Sequence, residues 1–508
     1  MIDLTKGKPI KVILLFTLPL LLGNLFQLFY NFIDAIIVGH TLGKDAFAAV
    51  GATSALNFLI MGFAIGITSG FSIIISQRFG ANDDEGVKHS FAIGLFLTLI
   101  TSLILTVIAF TLAQPLLELM QTPPELIKDA HDFLKAIFGG MVFTVLFNYL
   151  SNVLRAIGDS RTPLIALIIS TILNVILEFV FILGLHAGVF GAGIATIIAQ
   201  AFSVLYLVIY IKLKVPVLHL QKQHFKFDKK AVSKHAALGY PMGFQSSIIA
   251  IGSLTLQIVL NKMGTDVVAM QAIGRQIDQL AMLPMISLGL AVTTFTAQNF
   301  GARQYKRMLI GLKHAVIIDV IWGIVFAAIL ITFNQFFSGL FISHNETKII
   351  HLAFEYYLVN GLFYWILAIL FVVRAFIQGY GNSLVPTLAG IAELVMRAGV
   401  SVLSLVTVGL IGVLFSSPAA WIGSVIILVP SYFKITKDLR QRSDQTLDTD
   451  DLDETLEIIW YIIDSYKAYY NSLYEGTTSK KQVTSMMWLA FKLDFDISDS
   501  DKGGVLDC

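Results

Sequence analysis

Apolar residues run along this chain in long blocks separated by short polar stretches. A helix needs about 20 mainly apolar residues to cross a bilayer, because lipid offers the backbone no hydrogen-bond partner. On that criterion the pattern predicts twelve spans, near 11–38, 47–76, 91–113, 134–154, 164–185, 188–211, 238–261, 267–299, 313–334, 352–374, 386–407 and 410–433. The stretches 46–77, 187–211 and 236–261 contain no Asp, Glu, Lys or Arg at all.

The few polar residues inside these blocks are regularly spaced. In the first span Asn24, Gln27, Asn31 and Asp34 follow at steps of three, four and three, which places them on one helical face. In the fifth, Ser170, Asn174 and Glu178 recur every four residues, and in the sixth Thr196, Gln200 and Ser203 recur at four and three. An ionisable group at mid-membrane costs at least a few kcal/mol unless paired or hydrated, so the stripes are expected to face the bundle interior. Burial favours the protonated form of a carboxyl and a bound cation favours the ionised form, so such a group can exchange a proton for a cation. That is the chemistry an antiporter needs. The alternative is helix packing, with Asp34 and Glu178 satisfied by asparagines.

The second half is patterned differently. Arg275 and Asp278 are three apart and Glu393 and Arg397 four apart, both suited to pairing within a helix. Asp319 and Glu355 have no evident partner in their own helices, and Glu355 falls near a membrane interface. Pro19 and Pro241 sit at matching places and, with Pro284, are candidate bends. His40, His186 and His314 occur singly, without internal cysteines or an HExxH spacing, so no metal site is expected beyond Na⁺ at the polar stripes.

An internal repeat organises the spans. At an offset of 221, Gly43-Lys44-Asp45 falls on Gly264-Thr265-Asp266, and Gln77-Arg78-Phe79-Gly80-Ala81 on Gln298-Asn299-Phe300-Gly301-Ala302. At 223, Gly158-Asp159-Ser160 and Pro163 fall on Gly381-Asn382-Ser383 and Pro386. Each copy holds six spans, so the halves share one orientation and should be related by an axis along the membrane normal. The expected organisation is a six-helix bundle over 1–211, a basic connector over 212–237, a second bundle over 238–440 and an acidic tail over 441–508.

Charge adds orientation. Of 29 Lys and Arg residues in 1–440, 22 lie at the N-terminus, in alternate loops, Arg374 among them, and just after the last span. Five lie on the opposite side, and Arg275 and Arg397 lie inside spans. Both termini are therefore expected in the cytoplasm. The connector, with seven lysines from Lys212 to Lys234, reads as a solvated segment touching anionic headgroups.

Composition narrows the class. The chain has 508 residues, 56% hydrophobic and 14% charged, where an average soluble domain carries roughly 25% charged residues. This excludes a disordered chain, a nucleic-acid-binding domain and a disulfide scaffold, the last also because the single cysteine is Cys508. The first apolar run is too long for a cleaved signal peptide and reads as a retained span. In the tail, Leu452, Leu456, Ile459, Ile463 and Tyr466 outline an amphipathic helix, Ser479 with Gln482 forms a capping-box pattern, and the run from Asp499 to Asp507 faintly resembles the start of a calcium loop. The fold class expected is an all-α polytopic membrane protein with two pseudo-symmetric six-helix bundles and a short soluble helical tail.

Several runs together resemble the multidrug and toxic compound extrusion (MATE) family, in its prokaryotic branch related to the DNA-damage-inducible F proteins. They are Tyr30-Asn31-Phe32-Ile33-Asp34 with Val38-Gly39, the paired Gln-x-Phe-Gly-Ala segments, Leu154-Arg155-Ala156-Ile157-Gly158-Asp159, Asn174-Val175-Ile176-Leu177-Glu178 and Gly191-Ala192-Gly193-Ile194-Ala195-Thr196. The likeness spans about 5–438. It implies export of amphipathic, often cationic compounds against an inward flow of H⁺ or Na⁺, with no other cofactor, in a bacterial cell membrane and as a monomer. By position, Asp34 matches the first-span carboxylate of the coupling site, and Asn174 and Thr196 its asparagine and threonine. Glu178 stands where the branch usually has aspartate, Asn152 lies near a further site asparagine, and Arg397 matches a basic residue often found there. Asn24, Gln27, Asn31, Asn152 and Gln200 are the candidate substrate-cavity residues. A flippase for a lipid-linked precursor is the nearest rival; its cavity should be richer in cations, and the first-half stripes carry none. A membrane-embedded enzyme would need an acidic metal cluster at the membrane surface, and the dense acidic run from Asp448 to Glu454 lies in the tail.

Overall fold

The computed structural model describes residues 2–443 apart from Gln121, Phe227 and His344, and the readings made for the tail fall outside the described residues. Among those residues the chain is helical throughout. The first half holds α1 (Pro9–Leu42), α2 (Lys44–Gly80), α3 (Asp84–Leu119), α4 (Pro124–Gly139), α5 (Met141–Ala156), α6 (Arg161–Phe179) and α7 (Gly188–Lys214). The second holds α8 (Lys229–Asn261), α9 (Thr265–Gly301), α10 (Tyr305–Thr332), α11 (Asn334–Gly339), α12 (Thr347–Gly361), α13 (Tyr364–Tyr380), α14 (Leu384–Thr407), α15 (Leu410–Leu414) and α16 (Ser416–Arg442). Ten helical stretches are long and apolar enough to cross a membrane, and two bent pairs bring the number to twelve if each pair is one span.

The bent pairs depart from the continuous helices expected at 134–154 and 352–374. α4 and α5 meet at 49° around Gly140, and α12 and α13 at 47° around Leu362 and Phe363. The breaks occupy corresponding places in the halves, and the spans start earlier than hydropathy suggested, at Pro124 and Thr347. Conversely, Pro19, Pro241 and Pro284 lie inside helices that continue through them.

Large apolar side chains point outward along the bundle: Leu103, Val107, Leu403, Val406 and Ile426 are each more than half exposed. In water such a surface would aggregate, whereas against lipid tails it carries no penalty. The opening residues of the chain pack into the second half, where Leu4, Phe16 and Leu20 join a core with Leu260, Met285 and Phe295. The connector is more enclosed than a solvated segment, because Val215, Leu218 and His224 are buried and His224 Nε2 lies 2.9 Å from Glu85 of α3.

Two close helix crossings join the halves. On α2, Gly66 and Gly70 lie against the backbone of α8 at Met242 and Gly239, while Gly239 and Gly243 receive Phe71, Ile67 and Phe63 of α2. These are two small-residue pairs at a spacing of four, and a methyl group at Gly66 would meet the Met242 carbonyl. The second crossing uses the paired Gln-x-Phe-Gly-Ala segments. Gly80 admits the backbone of Gln298, and Gly301 admits that of Gln77. The Gln77 amide donates to the carbonyls of Gly379 and Tyr380 at 3.2 and 3.3 Å, and the Gln298 amide donates to Ala156 at 2.8 Å. Positions 77 and 298 correspond at offset 221, and 156 and 379 at 223, so each half latches the other by the same bond.

The N-terminal segment straps this face. Ile2 donates to Gly158 at 2.8 Å and Leu4 to the Gln298 side chain at 3.3 Å, while Asn299 and Arg307 donate to the Leu4 carbonyl. Gly158 has φ +88°, and a side chain there would strike the Ile2 carbonyl, so glycine serves both the turn and the strap. Deeper, Asn24 of α1 donates to Ser287 of α9 at 2.9 Å and Ser247 of α8 to Leu59 of α2 at 3.3 Å. The halves are thus sealed from the face bearing the N-terminus to about mid-depth.

Candidate functional site

The first half gathers four predicted residues into one cluster from three helices: Asp34 of α1, Asn174 and Glu178 of α6, and Thr196 of α7. Period-four spacing puts Ser170, Asn174 and Glu178 on the buried side of α6, where Glu178 is fully enclosed and Asn174 is 1% exposed. The helix widens into a π-helical turn over Val180–Gly184 just beyond Glu178, the kind of local distortion that accompanies functional positions.

Thr196 is the hub. Its hydroxyl donates to the Ala192 carbonyl at 3.2 Å and accepts from the Asn174 amide and from the Tyr30 hydroxyl, both at 3.3 Å. Tyr30 was not among the sequence candidates. It lies four residues before Asp34, one turn away on the same face, and that spacing was the available signal. The carboxyl groups of Asp34 and Glu178 are neighbours in this cluster, with no hydrogen bond between them and none from Asn174 to Glu178.

The atoms left over are all acceptors. Oδ1 of Asp34, Oδ1 of Asn174 and both carboxyl oxygens of Glu178 are buried without a donor. Native proteins pair most buried polar atoms, so oxygens gathered without hydrogens call for a proton or a hard cation.

The other candidates are dispersed. Asn24 bridges the halves through Ser287. Gln27 donates to Asn31 one turn on at 3.3 Å, and Asn31 is exposed on the α1 face. Asn152 is enclosed between helices, donating to Thr68 of α2 and accepting from Arg155, neither of them a member of the Asp34 cluster. Gln200, one turn beyond Thr196, has a buried carbonyl oxygen without a donor.

In the second half, three sequence expectations change. Asp278 does not form the hydrogen-bonded pair expected with Arg275; its oxygens accept from the hydroxyls of Tyr356 and, at 2.6 Å, Tyr364. Two tyrosines from the bent pair α12 and α13 reach it, which no pattern within α9 could reveal. Glu355 does have a partner in its own helix, with His351 Nδ1 at 3.5 Å. Arg374, expected in a loop, is buried in α13 and bonds to Glu393 at 3.0 Å. The pairing of Glu393 with Arg397 is present at 3.1 Å. Asp319 is buried with one carboxyl oxygen unpartnered.

Two latched six-span halves with a buried acceptor cluster in one of them define a membrane transporter. The MatE family pattern matches residues 19–180 and 241–403, one match in each half. The chain belongs to the MatE family of multidrug efflux transporters. It is 29% identical over 428 residues to the "Probable multidrug resistance protein YoeA" of Bacillus subtilis (strain 168), covering 82% of this chain and 92% of that protein. It is 31% identical over 385 residues to the "Probable multidrug resistance protein YpnP" of the same organism, covering 75% and 85%. Among solved structures, a MATE protein in the bent conformation superposes with a TM-score of 0.81 at 23% identity, over 87% of this chain and 98% of that one. An outward-facing multidrug resistance MATE transporter superposes at 0.79, also at 23% identity, over 87% and 98%. At these identities the structures speak for the fold.

Proposed function

We propose that this protein is a secondary-active antiporter that exports amphipathic, cationic organic compounds in exchange for H⁺ or Na⁺. The observation that carries this reading is the acceptor-only cluster of Asp34, Asn174 and Glu178 around Thr196. Two carboxylates held against each other repel unless a proton or a cation lies between them. A proton on one satisfies the other through a hydrogen bond, and Na⁺ would instead be held by the oxygens of Asp34, Glu178 and Asn174. Binding of either ion draws α1, α6 and α7 together, and its release frees α1, the helix that also reaches the second half through Asn24 and Ser287. In this way ion occupancy can bias the rocking of the halves.

On this reading the sealed face is cytoplasmic, with the chain a monomer in the cell membrane. The sealed face carries most of the Lys and Arg residues outside the spans, which favours that orientation. The cluster would then be approached from the outer side, as an importing cation requires. Candidate substrate contacts are Gln27, Asn31 and Gln200, which flank the cluster on α1 and α7.

The test is efflux from inverted vesicles with the proton and sodium gradients imposed separately. Asp34→Asn is expected to abolish gradient-driven export while the protein still inserts, and Glu178→Asp to keep export with an altered response to the two gradients. Unchanged export by Asp34→Asn would reject the proposal.

A further inference from the structure

A polar seam runs between α2 and α5 and ends at the latch. On α2, Thr68, Ser72 and Ser76 recur every four residues, and on α5 Asn148, Asn152 and Arg155 follow at steps of four and three. The two faces meet, because Asn152 donates to Thr68 at 3.3 Å and Ser76 donates to the Ala156 carbonyl at 3.2 Å. That carbonyl also takes the latch amide of Gln298. A line of hydroxyl and amide groups is where water and small ions can enter a closed bundle, since apolar constrictions dewet.

One charge stands in this seam. Arg155 is partly buried, its Nη1 donates to Asn152 at 3.2 Å, and its Nε is enclosed without an acceptor. Among the described residues no carboxylate bonds to it. The acid closest in sequence, Asp159, is taken by the hydroxyls of Thr162 at 2.7 Å and Tyr210 at 3.2 Å and by the N–H groups of Arg161 and Thr162. A guanidinium cannot be deprotonated in a protein, so the charge is permanent. α6 begins beside this place at Arg161 and carries Asn174 and Glu178 several turns further on, which sets Arg155 on the sealed side of the acceptor cluster.

The fold does not require a charge at this position. At offset 223 Arg155 falls on Gln378, a neutral amide that donates to Gln245 of α8 at 3.1 Å and directly precedes the equivalent latch carbonyl of Gly379. The half that holds the acceptor cluster is therefore the half that holds the additional cation. Ion-coupled transport fails if the ion crosses the sealed face alone. A fixed positive charge in a low-dielectric seam raises the energy of any second cation, proton included, that has shed water to enter it.

We propose that Arg155 is an electrostatic barrier that keeps the coupling ion from crossing the sealed face without cargo. The proposal rests on the antiport reading, and two measurements on the same vesicles separate them: ion entry without cargo reads the barrier, and gradient-driven export reads the antiport. The full chain is reconstituted in phosphatidylcholine liposomes, and entry of radiolabelled Na⁺, of H⁺ with an entrapped pH dye, and of Cl⁻ is followed with cargo omitted.

Arg155→Gln, which copies the second-half residue, is expected to raise Na⁺ and H⁺ entry about tenfold over wild type, equivalent to about 1.4 kcal/mol of barrier, with Cl⁻ entry unchanged or lower. Arg155→Lys keeps the charge and should stay close to wild type. Asn152→Ala removes the bond to the guanidinium but leaves its charge, and should stay tight as well. A purely structural arginine predicts a packing defect instead, in which cations and Cl⁻ rise together and all three variants leak. That result would overturn the proposal, and so would an Arg155→Gln protein as tight as wild type. A leak through either charge-retaining variant overturns it whatever Arg155→Gln does. The ratio of Na⁺ to Cl⁻ entry is read within one preparation, so a misfolded fraction, which passes both ions, does not imitate the expected outcome. Normal export with a tight Arg155→Gln rejects the barrier and leaves the antiport reading standing; absent export in a tight wild type rejects the antiport reading itself.

Discussion

At the sealed face the two halves of the molecule do the same thing, and at mid-depth they do opposite things. Gln77 and Gln298 donate to Gly379 and Ala156 as mirror partners, and each glycine of the paired motif admits the glutamine of the other. Some turns deeper, equivalent positions on α6 and α14 hold Asn174 and Glu178 in one half, Arg397 and Ser401 in the other. Duplication thus supplies a symmetric hinge and leaves the pockets free to differ. Rocking needs the halves to fit each other, but coupling needs only one of them to hold an ion.

The sharpest way to break this contrast is at the carboxyls. Asp34→Asn should reduce gradient-driven efflux to the level of empty vesicles, whereas Thr255→Asn, at the corresponding place of α8, should leave it near wild type. Equal losses would mean that the halves are functionally symmetric after all. The next largest effect concerns the hinge. Gly66→Leu collides with the α8 backbone and should cost about 3 kcal/mol or more, seen as loss of monodisperse protein in detergent, while Gly51→Leu, with open space at its Cβ, should be tolerated.

The latch itself predicts a smaller, paired effect. Removing either glutamine side chain takes away hydrogen bonds worth about 1 kcal/mol net and should shift the balance between sealed and opened states roughly fivefold. Spin labels at Arg161 and Leu384, exposed equivalents at the starts of α6 and α14, would report the change as a longer distance distribution. Gln77→Ala and Gln298→Ala should move it by similar amounts; a large difference would show that the sequence symmetry is not energetic.

The smallest effect belongs to the strap. Partial burial raises the Asp3 carboxyl, but hydrogen bonds from Thr5 and the ammonium of Lys6 outweigh it and hold the group below its ordinary value. Its contribution is therefore present at neutral pH and is lost as pH falls through that lowered value. Asp3→Asn should cost well under about 1 kcal/mol at neutral pH, measured as faster amide exchange over residues 2–7, with no difference from wild type in strong acid.

Much of this was legible in the sequence because it depends on local periodicity. Apolar block lengths gave the spans, and steps of three and four placed Asp34, Asn174, Glu178 and Thr196 on inward faces. What required the structure were contacts between distant helices. Arg374 resembles a loop residue until α13 and α14 are seen side by side, and Asp278 appears paired with Arg275 until two tyrosines arrive from α12 and α13. Gly66 and Gly70, like Gly239 and Gly243, stand four apart in their helices, but nothing in either helix states that they meet.

The glutamine latch closes the molecule with neutral amides on neutral carbonyls. A membrane potential does work only on charge, about 2.3 kcal/mol for each elementary charge moved through 100 mV. Breaking the glutamine latch therefore moves no formal charge, and voltage does no direct work on it. Any electrical sensitivity of the cycle must enter through the ionised groups at mid-depth and whatever ion or cargo they carry.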